Sequence, residues 1–195
     1  TITFSGDDIF CEGGSVTLTA PEDGSLDYKW KKDGGDVGAN QNTHLVSTSG
    51  DYTLVVSNAS NCIASSTNTV TITVNSNPPI PAVGLSGEAT FCSDKTLTLS
   101  TSYETGHNYQ WKRGGADISG AVLTSYDPTL SGEYTLGVTE NSTGCESESL
   151  PTSVTVNPVP SAPTITPSGS LSFCNGLSQV LNASLADGLS YQWRR

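Results

Sequence analysis

The amino-acid sequence predicts an all-β chain of tandem sandwich domains, and three observations carry this prediction. A short motif, Tyr-x-Trp followed by two basic residues, occurs at 28–32, 109–113 and 191–195, which is a repeat of about 82 positions. Several short segments alternate apolar with polar residues, the period of a half-buried strand. Only 14% of the residues are charged and Met is absent, while Thr, Ser, Gly and Val dominate, which favours strands joined by turns.

The repeat divides the chain into three units. Residues 1–76 and 77–158 are two complete copies, and residues 159–195 are the opening part of a third copy that ends just after its tryptophan. Half a sandwich exposes an apolar face and open strand edges, so we expect the natural chain to continue; the alternative is a half domain that another molecule completes. Closely spaced prolines at 77–81 and 157–160 predict short, semi-rigid spacers.

The elements of the first copy follow from its alternating segments and its turn residues. Residues 38–48 lack clear alternation and are expected to be irregular. The expected strands are, in order, an edge strand at 1–6, a half-buried strand at 15–20, a strand through Tyr28 and Trp30, a strand within 49–56, and a last strand through Val70, Ile72 and Val74. The second copy repeats this layout.

Inward positions that both complete copies share define the expected core. Every second residue of an amphipathic strand faces the same side of a sheet, and the same residue types recur at these places in the repeat. The predicted core residues are Leu18, Trp30, Tyr52 and Leu54 in the first copy, Leu99, Trp111, Tyr134 and Leu136 in the second, and Trp193 in the third.

About seven short strands, a Trp in the third strand and Ser-Gly-x-Tyr at the penultimate one resemble an immunoglobulin-type sandwich. The resemblance implies that Tyr52 and Tyr134 occupy the tyrosine-corner position. It fails at the inter-sheet disulfide of that family, because leucines stand at both positions, Leu18 and Leu54 in the first copy. The sequence therefore predicts two sheets that are held together by apolar packing alone.

A longer pattern of residues makes the resemblance to known families more specific. Phe-Cys, a Gly-rich turn, Val-Thr-Leu-Thr, Tyr-x-Trp, Ser-Gly-x-Tyr-Thr, a late Cys and Val-Thr-Val-Asn-Pro follow one another along the repeat. This order resembles the Ig-like or PKD-like repeats of very large secreted surface proteins of Bacteroidota. The resemblance implies an exported protein in which the repeats serve as adhesins, stalks or spacers.

Five cysteines follow the same period. Cys11, Cys92 and Cys174 open the three copies, and Cys62 and Cys145 lie near the ends of the two complete copies. They form no CxxC motif and have no His at ligand spacing, so we expect disulfides in an oxidising compartment and no zinc site.

Two disulfide pairings stay open at this point. The first pairs Cys11 with Cys62 and Cys92 with Cys145, within each domain. The strand order of an immunoglobulin-type sandwich places the members of each such pair roughly 20 Å apart, at opposite ends, whereas disulfide Cα atoms lie within about 7 Å. The second pairing joins Cys11 to Cys145 across the domain junction, with Cys92 and Cys174 bonding later copies and Cys62 an earlier one.

The net charge of −11 excludes two partner classes, because such a field repels nucleic acid and anionic lipid. No apolar run approaches the length of a membrane span, so we expect no membrane insertion in this segment. The expected partners are further copies of the same repeat in the same chain, with self-association into a filament as a further possibility.

A pair of basic residues follows each Trp: Lys31 with Lys32, Lys112 with Arg113, and 194–195. One interpretation is that the pair protects an exposed edge strand against sheet-to-sheet aggregation. The other is that the pair contacts the acidic face of a neighbouring subunit, as a fibre requires.

The two histidines, His44 and His107, occupy unrelated places in the repeat. Neither has a repeated Asp or nucleophile as a partner, so we expect both to be solvated loop residues. With no catalytic constellation, the chain is not expected to be an enzyme.

Neighbouring carboxylates at 7–8 and 22–23, and Glu146 with Glu148, are the candidate cation ligands. They are the oxygen ligands that Ca²⁺ uses, but they lack EF-hand spacing and no Asp cage repeats. We therefore expect no cofactor, with Ca²⁺ the one ion to be considered.

Two functional hypotheses follow from the sequence. The first is a non-enzymatic, extracellular repeat segment that forms a rigid stalk or fibre for adhesion at the cell surface. The alternative is a carbohydrate-binding accessory region of a secreted polysaccharide-active enzyme, which requires exposed aromatic residues. Tyr103 and Tyr126 are the aromatic residues that the core positions leave over for that role.

Overall fold

A computed structural model describes all residues from Thr1 to Arg195, and it contains strands and loops. It has no helix of the length and apolarity needed to cross a membrane. The strands form two sandwiches and one further strand pair, so the prediction of an all-β, tandem immunoglobulin-like chain is confirmed. The strands of the first sandwich are β1 (Thr3–Ser5), β2 (Ile9–Cys11), β3 (Val16–Thr19), β4 (Leu26–Lys32), β5 (Gly35–Val37), β6 (Thr43–Val46), β7 (Gly50–Asn58), β8 (Ile63–Ser65) and β9 (Val70–Asn75).

Two sheets make up the first sandwich. The smaller sheet has the order β1-β3-β6, and the larger has the order β2-β9-β7-β4-β5, with β8 paired to β7 outside this order. Strand β2 runs parallel to β9, with Cys11 opposite Asn75, whereas the other pairs are antiparallel. The parallel pair therefore places Cys11 where the last strand of the domain ends and the link to the next domain begins.

Trp30 lies in the centre of the first core. Its side chain is fully buried, and its indole Nε1 donates to the carbonyl of Gln41 at 2.8 Å. Alternation along β3 and β7 turns Leu18 and Leu54 inward from opposite sheets, into the same apolar cluster as the indole. The sheets are thus joined by packing at the positions where immunoglobulin domains carry a disulfide, and each buried leucine contributes about 1.5–3 kcal/mol.

The second sandwich repeats the first, with sheets of order β10-β12-β15 and β11-β18-β16-β13-β14 and with β17 paired to β16. These strands are β10 (Gly84–Leu85), β11 (Thr90–Cys92), β12 (Leu99–Ser100), β13 (His107–Arg113), β14 (Ala116–Asp117), β15 (Ser125–Tyr126), β16 (Gly132–Glu140), β17 (Glu146–Glu148) and β18 (Thr152–Asn157). The parallel pair recurs as β11 with β18 and sets Cys92 opposite Asn157. Leu99, Trp111 and Leu136 are fully buried in a second, separate core.

Tyr52 and Tyr134 anchor the loops that lead into β7 and β16. The hydroxyl of Tyr52 donates to the carbonyl of Thr48 at 3.0 Å, and that of Tyr134 donates to the carbonyl of Leu130 at 2.7 Å. Both rings are buried, and each bond runs back four residues along the chain. This is the geometry of the immunoglobulin tyrosine corner.

Strand β6 occupies part of the segment that was expected to be irregular. It pairs with β3, with His44 opposite Leu18. Val46 is buried while Leu45 is 65% exposed, so the apolar pattern of the segment does not match the side that faces the core. The polar His44 at an inward position hides the strand from an analysis of hydrophobic alternation.

His44 is not a solvated loop residue, and the expectation for it was wrong. Its ring stacks on that of Trp30, with centroids 5.7 Å apart and an interplanar angle of 25°. Tyr126 holds the equivalent place in the second sandwich, opposite Leu99, and its ring centroid lies 6.1 Å from that of Trp111. Tyr126 is therefore packed against the core and is not free for a sugar ligand.

The third copy consists of one antiparallel pair, β19 (Ile165–Pro167) with β20 (Leu181–Ala183). Trp193 is 51% exposed and lies outside any strand, so the predicted core position is not realised. In the first copy, Trp30 lies in β4, which is paired with β5 and β7, and it faces the sheet of β1, β3 and β6. The third copy has β19 and β20, the counterparts of β1 and β3, but its segment 191–193 is paired with no strand, so the indole is not held against that pair.

We predict that Trp111→Ala lowers the free energy of unfolding of the second sandwich by about 3–5 kcal/mol. The indole fills the centre of a core that has no inter-sheet disulfide, so the lost packing has no covalent substitute. Urea unfolding followed by circular dichroism measures the loss, with the exposed Tyr103→Ala as the control. A loss below about 1 kcal/mol would show that other contacts hold the sheets together.

We also predict that the first sandwich becomes less stable as the pH is lowered, because of His44. Burial holds the pKa of His44 below its ordinary value. The unfolded chain therefore binds more protons than the folded one, and the free energy of unfolding decreases as the pH drops below about 6.5. His44→Tyr, which copies the second sandwich, should flatten this decline between about pH 7 and pH 5. Equal pH dependence in both proteins, by urea unfolding, would contradict it.

Candidate functional site at the domain junction

Cys11 is placed by strand pairing and by a Gly-rich turn. The amide of Glu12 donates to the carbonyl of Asn75 at 2.9 Å, and the amide of Gly14 donates to the carbonyl of Cys11 at 3.0 Å. A Cβ on Gly14 would come within 2.9 Å of the Phe10 ring, so a larger residue there would displace the turn or the ring. The turn thus holds the Cys11 sulfur at the end of the first sandwich.

Cys145 lies in the loop that follows β16 in the second sandwich. The amide of Glu140 donates to the carbonyl of Cys145, and the amide of Gly144 donates to the carbonyl of Glu140, both at 2.8 Å. Gly144 has φ +72°, in the left-handed region that glycine adopts at little cost. The loop therefore closes tightly, and Cys145 is fully buried.

Cys11 and Cys145 are joined by a disulfide between the two domains. Their Cα atoms are 5.6 Å apart, and 134 positions separate them in the sequence. This is the interdomain pairing of the two that the sequence left open. We call this bond the staple.

The register of the strands excludes the intradomain pairing. Gly50 at the start of β7 lies opposite Ile72, near the end of the sandwich that carries Cys11. Eight residues later β7 ends at Asn58, roughly 27 Å away, and Cys62 follows it. The second copy has the same topology, so the intradomain prediction was wrong for both copies.

The link between the domains, residues 76–83 between β9 and β10, forms hydrogen bonds with both domains. Asn77 Nδ2 donates to the carbonyl of Glu12 in the first sandwich at 3.2 Å. Ser147 Oγ of the second sandwich donates to the carbonyl of Pro78 at 2.6 Å. The first residues of the link therefore lie beside the staple and are held to the domain on either side.

His107 lies beneath the link at the start of β13 and is largely buried, so the expectation of a solvated loop residue was wrong. Its Nε2 is 3.2 Å from a carboxylate oxygen of Glu140, and its Nδ1 is 4.0 Å from one of Glu104. The ring lines two small clefts together with Pro78 and Pro79. His107 thereby connects the link to the residue that begins the Cys145 loop.

The repeat pattern does not predict these polar junction contacts. Leu26 stands in the first copy where His107 stands in the second, opposite Asn58 in place of Glu140. Ala64 stands where Ser147 stands. The junction residues therefore differ between the copies. A search for repeats looks for positions that agree, so it discards these differences, although they are the signal of the junction contacts.

The other three cysteines, Cys62, Cys92 and Cys174, are free thiols exposed to solvent. None has a second cysteine within reach inside the chain. Of the five predicted disulfide residues, the structure thus brings two together.

The basic pairs do not lie on an edge strand, so the interpretation as edge protection was wrong. Over these residues β4 is paired with β5 on one side and with β7 on the other. Lys31 Nζ lies 2.6 Å from Asp36, and Lys112 Nζ lies 2.9 Å from Glu148. The ammonium groups of Lys31 and then Lys29 hold the pKa of Asp36 below its usual range, which marks a local ion pair at the surface.

In the two complete copies, Lys32 and Arg113 are the members of the basic pairs that have no carboxylate partner. Lys32 Nζ donates to the hydroxyl of Thr48 at 3.1 Å, and Arg113 lies opposite Ala116 at the end of the sheet. Contact of Lys31, Lys32, Lys112 or Arg113 with a neighbouring subunit stays a prediction.

The candidate cation ligands are not brought together. Asp23 accepts hydrogen bonds from the amide and the hydroxyl of Ser25 at 3.0 and 2.7 Å, and Glu148 is bound to Lys112. No group of three or more His, Cys, Asp or Glu side chains converges in the arrangement that a metal ion requires. The chemistry that the geometry offers is the formation and reduction of disulfides.

No protein-family model matches the chain, and no curated protein does either. Solved structures similar to it include murine CEACAM1b, at 15% identity over 80% of this chain and 100% of that chain with a TM-score of 0.36. The three N-terminal domains of the highly immunogenic outer capsid protein (Hoc) of bacteriophage RB49 are 17% identical over 94% of this chain and 69% of that one, with a TM-score of 0.35. The N-terminal Ig1-2 module of the Drosophila receptor protein tyrosine phosphatase DLAR is 16% identical over 80% and 98%, with a TM-score of 0.31. At these values nothing about ligand or partner is carried over.

We predict that peptide mapping without reduction yields one disulfide-linked peptide pair that contains Cys11 and Cys145. In a Cys145→Ser variant Cys11 should remain a thiol, because Cys62 lies at the far end of the same sandwich. Alkylation with a mass label counts the free thiols in each protein. Recovery of a peptide that links Cys11 to Cys62, in either protein, would contradict the observed register of the sheets.

Proposed function

We propose that this chain is an extracellular structural segment whose immunoglobulin-like domains are stapled end to end into a stiff stalk or fibre that serves adhesion. The observation that carries the proposal is the Cys11–Cys145 bond between successive domains. Disulfides persist in oxidising surroundings, which supports a place outside the cell. The resemblance of the repeat to surface-protein repeats of Bacteroidota supports the same role.

The staple removes the freedom that a link alone would leave. Domains joined by a short link usually move relative to each other unless their interface is large and apolar. Here Cys145 is bonded to Cys11, which lies opposite Asn75, the last residue before the link. The first residues of the link therefore cannot act as a free hinge. A covalent bond between the two domains thereby restricts their relative orientation.

The staple also couples the stabilities of the two domains. It closes a loop of 134 positions in the unfolded chain, and in the chain-entropy account such a closure disfavours the unfolded state by on the order of 5 kcal/mol. Two small cores without inter-sheet disulfides thereby resist unfolding together, which suits a segment that carries load.

The surface gives the carbohydrate-binding alternative less support. Tyr126 packs between Trp111 and Tyr134, at centroid distances of 6.1 and 5.8 Å. Tyr103 is 68% exposed, and its ring tilts against that of Tyr109. Within the two complete sandwiches Tyr103 is the one exposed tyrosine or tryptophan, which is a small platform for a sugar chain, so the structural role is the one we favour.

We predict that small-angle X-ray scattering shows a single narrow interdomain distance for the oxidised protein. In the double variant Cys11→Ser/Cys145→Ser, the same link without the staple should give a broader distance distribution. Cys62→Ser/Cys92→Ser is the matched control, since it removes two cysteines and keeps the staple. Scattering of the staple-free variant that superimposes on that of the control would contradict a stiffening role.

A further inference from the structure

The two cysteines of the staple differ in their access to solvent. Cys145 is fully buried, whereas Cys11, at the end of β2, is half-buried. Thiol–disulfide exchange begins when a thiolate attacks one sulfur atom of the bond, and the other sulfur then leaves as a thiolate. The difference in access therefore decides which cysteine is attacked and which one leaves.

Cys145 is covered by the end of the first sandwich and by the link. The carbonyl oxygen of Asn75 lies 4.0 Å from the Cys145 sulfur. Pro78 is buried, and its carbonyl accepts a hydrogen bond at 2.6 Å from the hydroxyl of Ser147, two residues after Cys145. The Cys145 sulfur therefore offers no surface to a thiol in solution while the link stays in place.

Hydrogen bonds that involve no sulfur atom also hold the two cysteines in place. The carbonyl of Cys145 accepts from the amide of Glu140 at 2.8 Å. On the other side of the junction, Asn77 Nδ2 donates at 3.2 Å to the carbonyl of Glu12, the residue after Cys11. Cleavage of the S–S bond breaks neither of these hydrogen bonds, so the two sulfur atoms stay close together after it.

We propose that Cys11 is the site at which a small soluble thiol attacks the staple, and that Cys145 is the leaving sulfur, which stays in place and re-forms the bond. The reactivity of the bond does not depend on whether the chain serves as a stalk, so the proposal goes beyond the proposed function. Its consequence is a junction that closes again after a single attack by a thiol.

The exchange is balanced without any other oxidant or reductant. The thiolate of the small thiol bonds to the Cys11 sulfur, the S–S bond of the staple breaks, and its electron pair passes to the Cys145 sulfur as a thiolate. In the reverse step the Cys145 thiolate attacks the Cys11 sulfur of the mixed disulfide and releases the small thiolate. Complete reduction requires a second small thiol, which takes the first one away as a disulfide.

Two physical effects favour the reverse step over complete reduction. A thiolate that is released into a buried place is poorly solvated, so its return to a disulfide is favourable. The Cys145 sulfur is also held beside Cys11, so its attack on the mixed disulfide is intramolecular, whereas the second small thiol has to arrive from solution.

Two single-thiol variants test the difference in access, in a chain with Cys62→Ser/Cys92→Ser/Cys174→Ser. Adding Cys145→Ser leaves the Cys11 thiol alone, and adding Cys11→Ser leaves the Cys145 thiol alone. Mass spectrometry follows the reaction of each protein with 2-hydroxyethyl disulfide, in buffer and in urea. We expect folding to slow the Cys145 thiol at least about tenfold more than the Cys11 thiol. Equal slowing, or greater slowing of Cys11, would overturn the proposal.

The intact staple gives an independent measurement that needs no change at Cys11 or Cys145. The chain with the other three cysteines replaced is placed in a buffer of 2-mercaptoethanol and its disulfide, quenched with acid, labelled at its thiols and mapped as peptides. We expect mercaptoethanol on Cys11 and the label on Cys145, in about tenfold excess over the reverse arrangement. A mixed disulfide that is found equally on both cysteines, or mainly on Cys145, would overturn the proposal.

A matched pair of serine variants tests whether the link retains Cys145. Ser147→Ala removes the hydrogen bond to Pro78, so the fraction of staple opened at a given thiol concentration should rise about two- to tenfold. Ser153→Ala, at an exposed position of β18, is the control and should leave this fraction unchanged. Equal fractions in the two variants would overturn the retention of Cys145. The scattering test of the stalk uses the oxidised staple, so its outcome is separate from these results.

Discussion

The parallel pairing of β2 with β9 is the constraint on which the junction depends. It places Cys11 opposite Asn75, so the cysteine and the start of the link leave the first sandwich side by side. The second sandwich presents Cys145 on the loop after β16, at the end that meets the link. The bond between them follows from strand order and needs no large interface. The same pairing recurs as β11 with β18, which is why each copy is built to be stapled.

The domains use cysteines in a different place from immunoglobulin domains, whose conserved disulfide joins the two sheets of one domain. Inside each sandwich the sheets are joined by a buried Trp and a pair of leucines, Trp30 with Leu18 and Leu54 in the first copy. The sulfur chemistry is left at the ends, where it acts between domains. Reduction should therefore loosen the junction and leave both cores packed. Such a division suits the stalk or fibre that we propose.

Much of this structure could be predicted from the repeat. The positions of the tryptophans in the first two copies follow from periodicity. The tyrosine corners and the opposite placement of Cys11 and Cys62 follow from the resemblance to an immunoglobulin-type sandwich. Strand β6 could not, because His44 replaces an apolar residue on its inward side and satisfies that position by stacking on Trp30. The contacts of His107 and Ser147 could not be predicted for another reason. These two residues lie against the link, and a repeat pattern carries no information about which residues face the link. Trp193 shows the reverse error, since a motif fixes a core position only where its own segment is paired into a sheet, and the segment 191–193 is paired with no strand.

The most direct test of the stapled rod is backbone ¹⁵N relaxation of the two sandwiches. If the staple fixes their orientation, amides of both domains will fit one anisotropic rotational diffusion tensor in the oxidised protein. After reduction, each domain should require its own tensor and tumble faster while its amide shifts stay those of a folded sandwich. Independent tumbling in the oxidised protein, with the Cys11–Cys145 bond intact, would contradict the account.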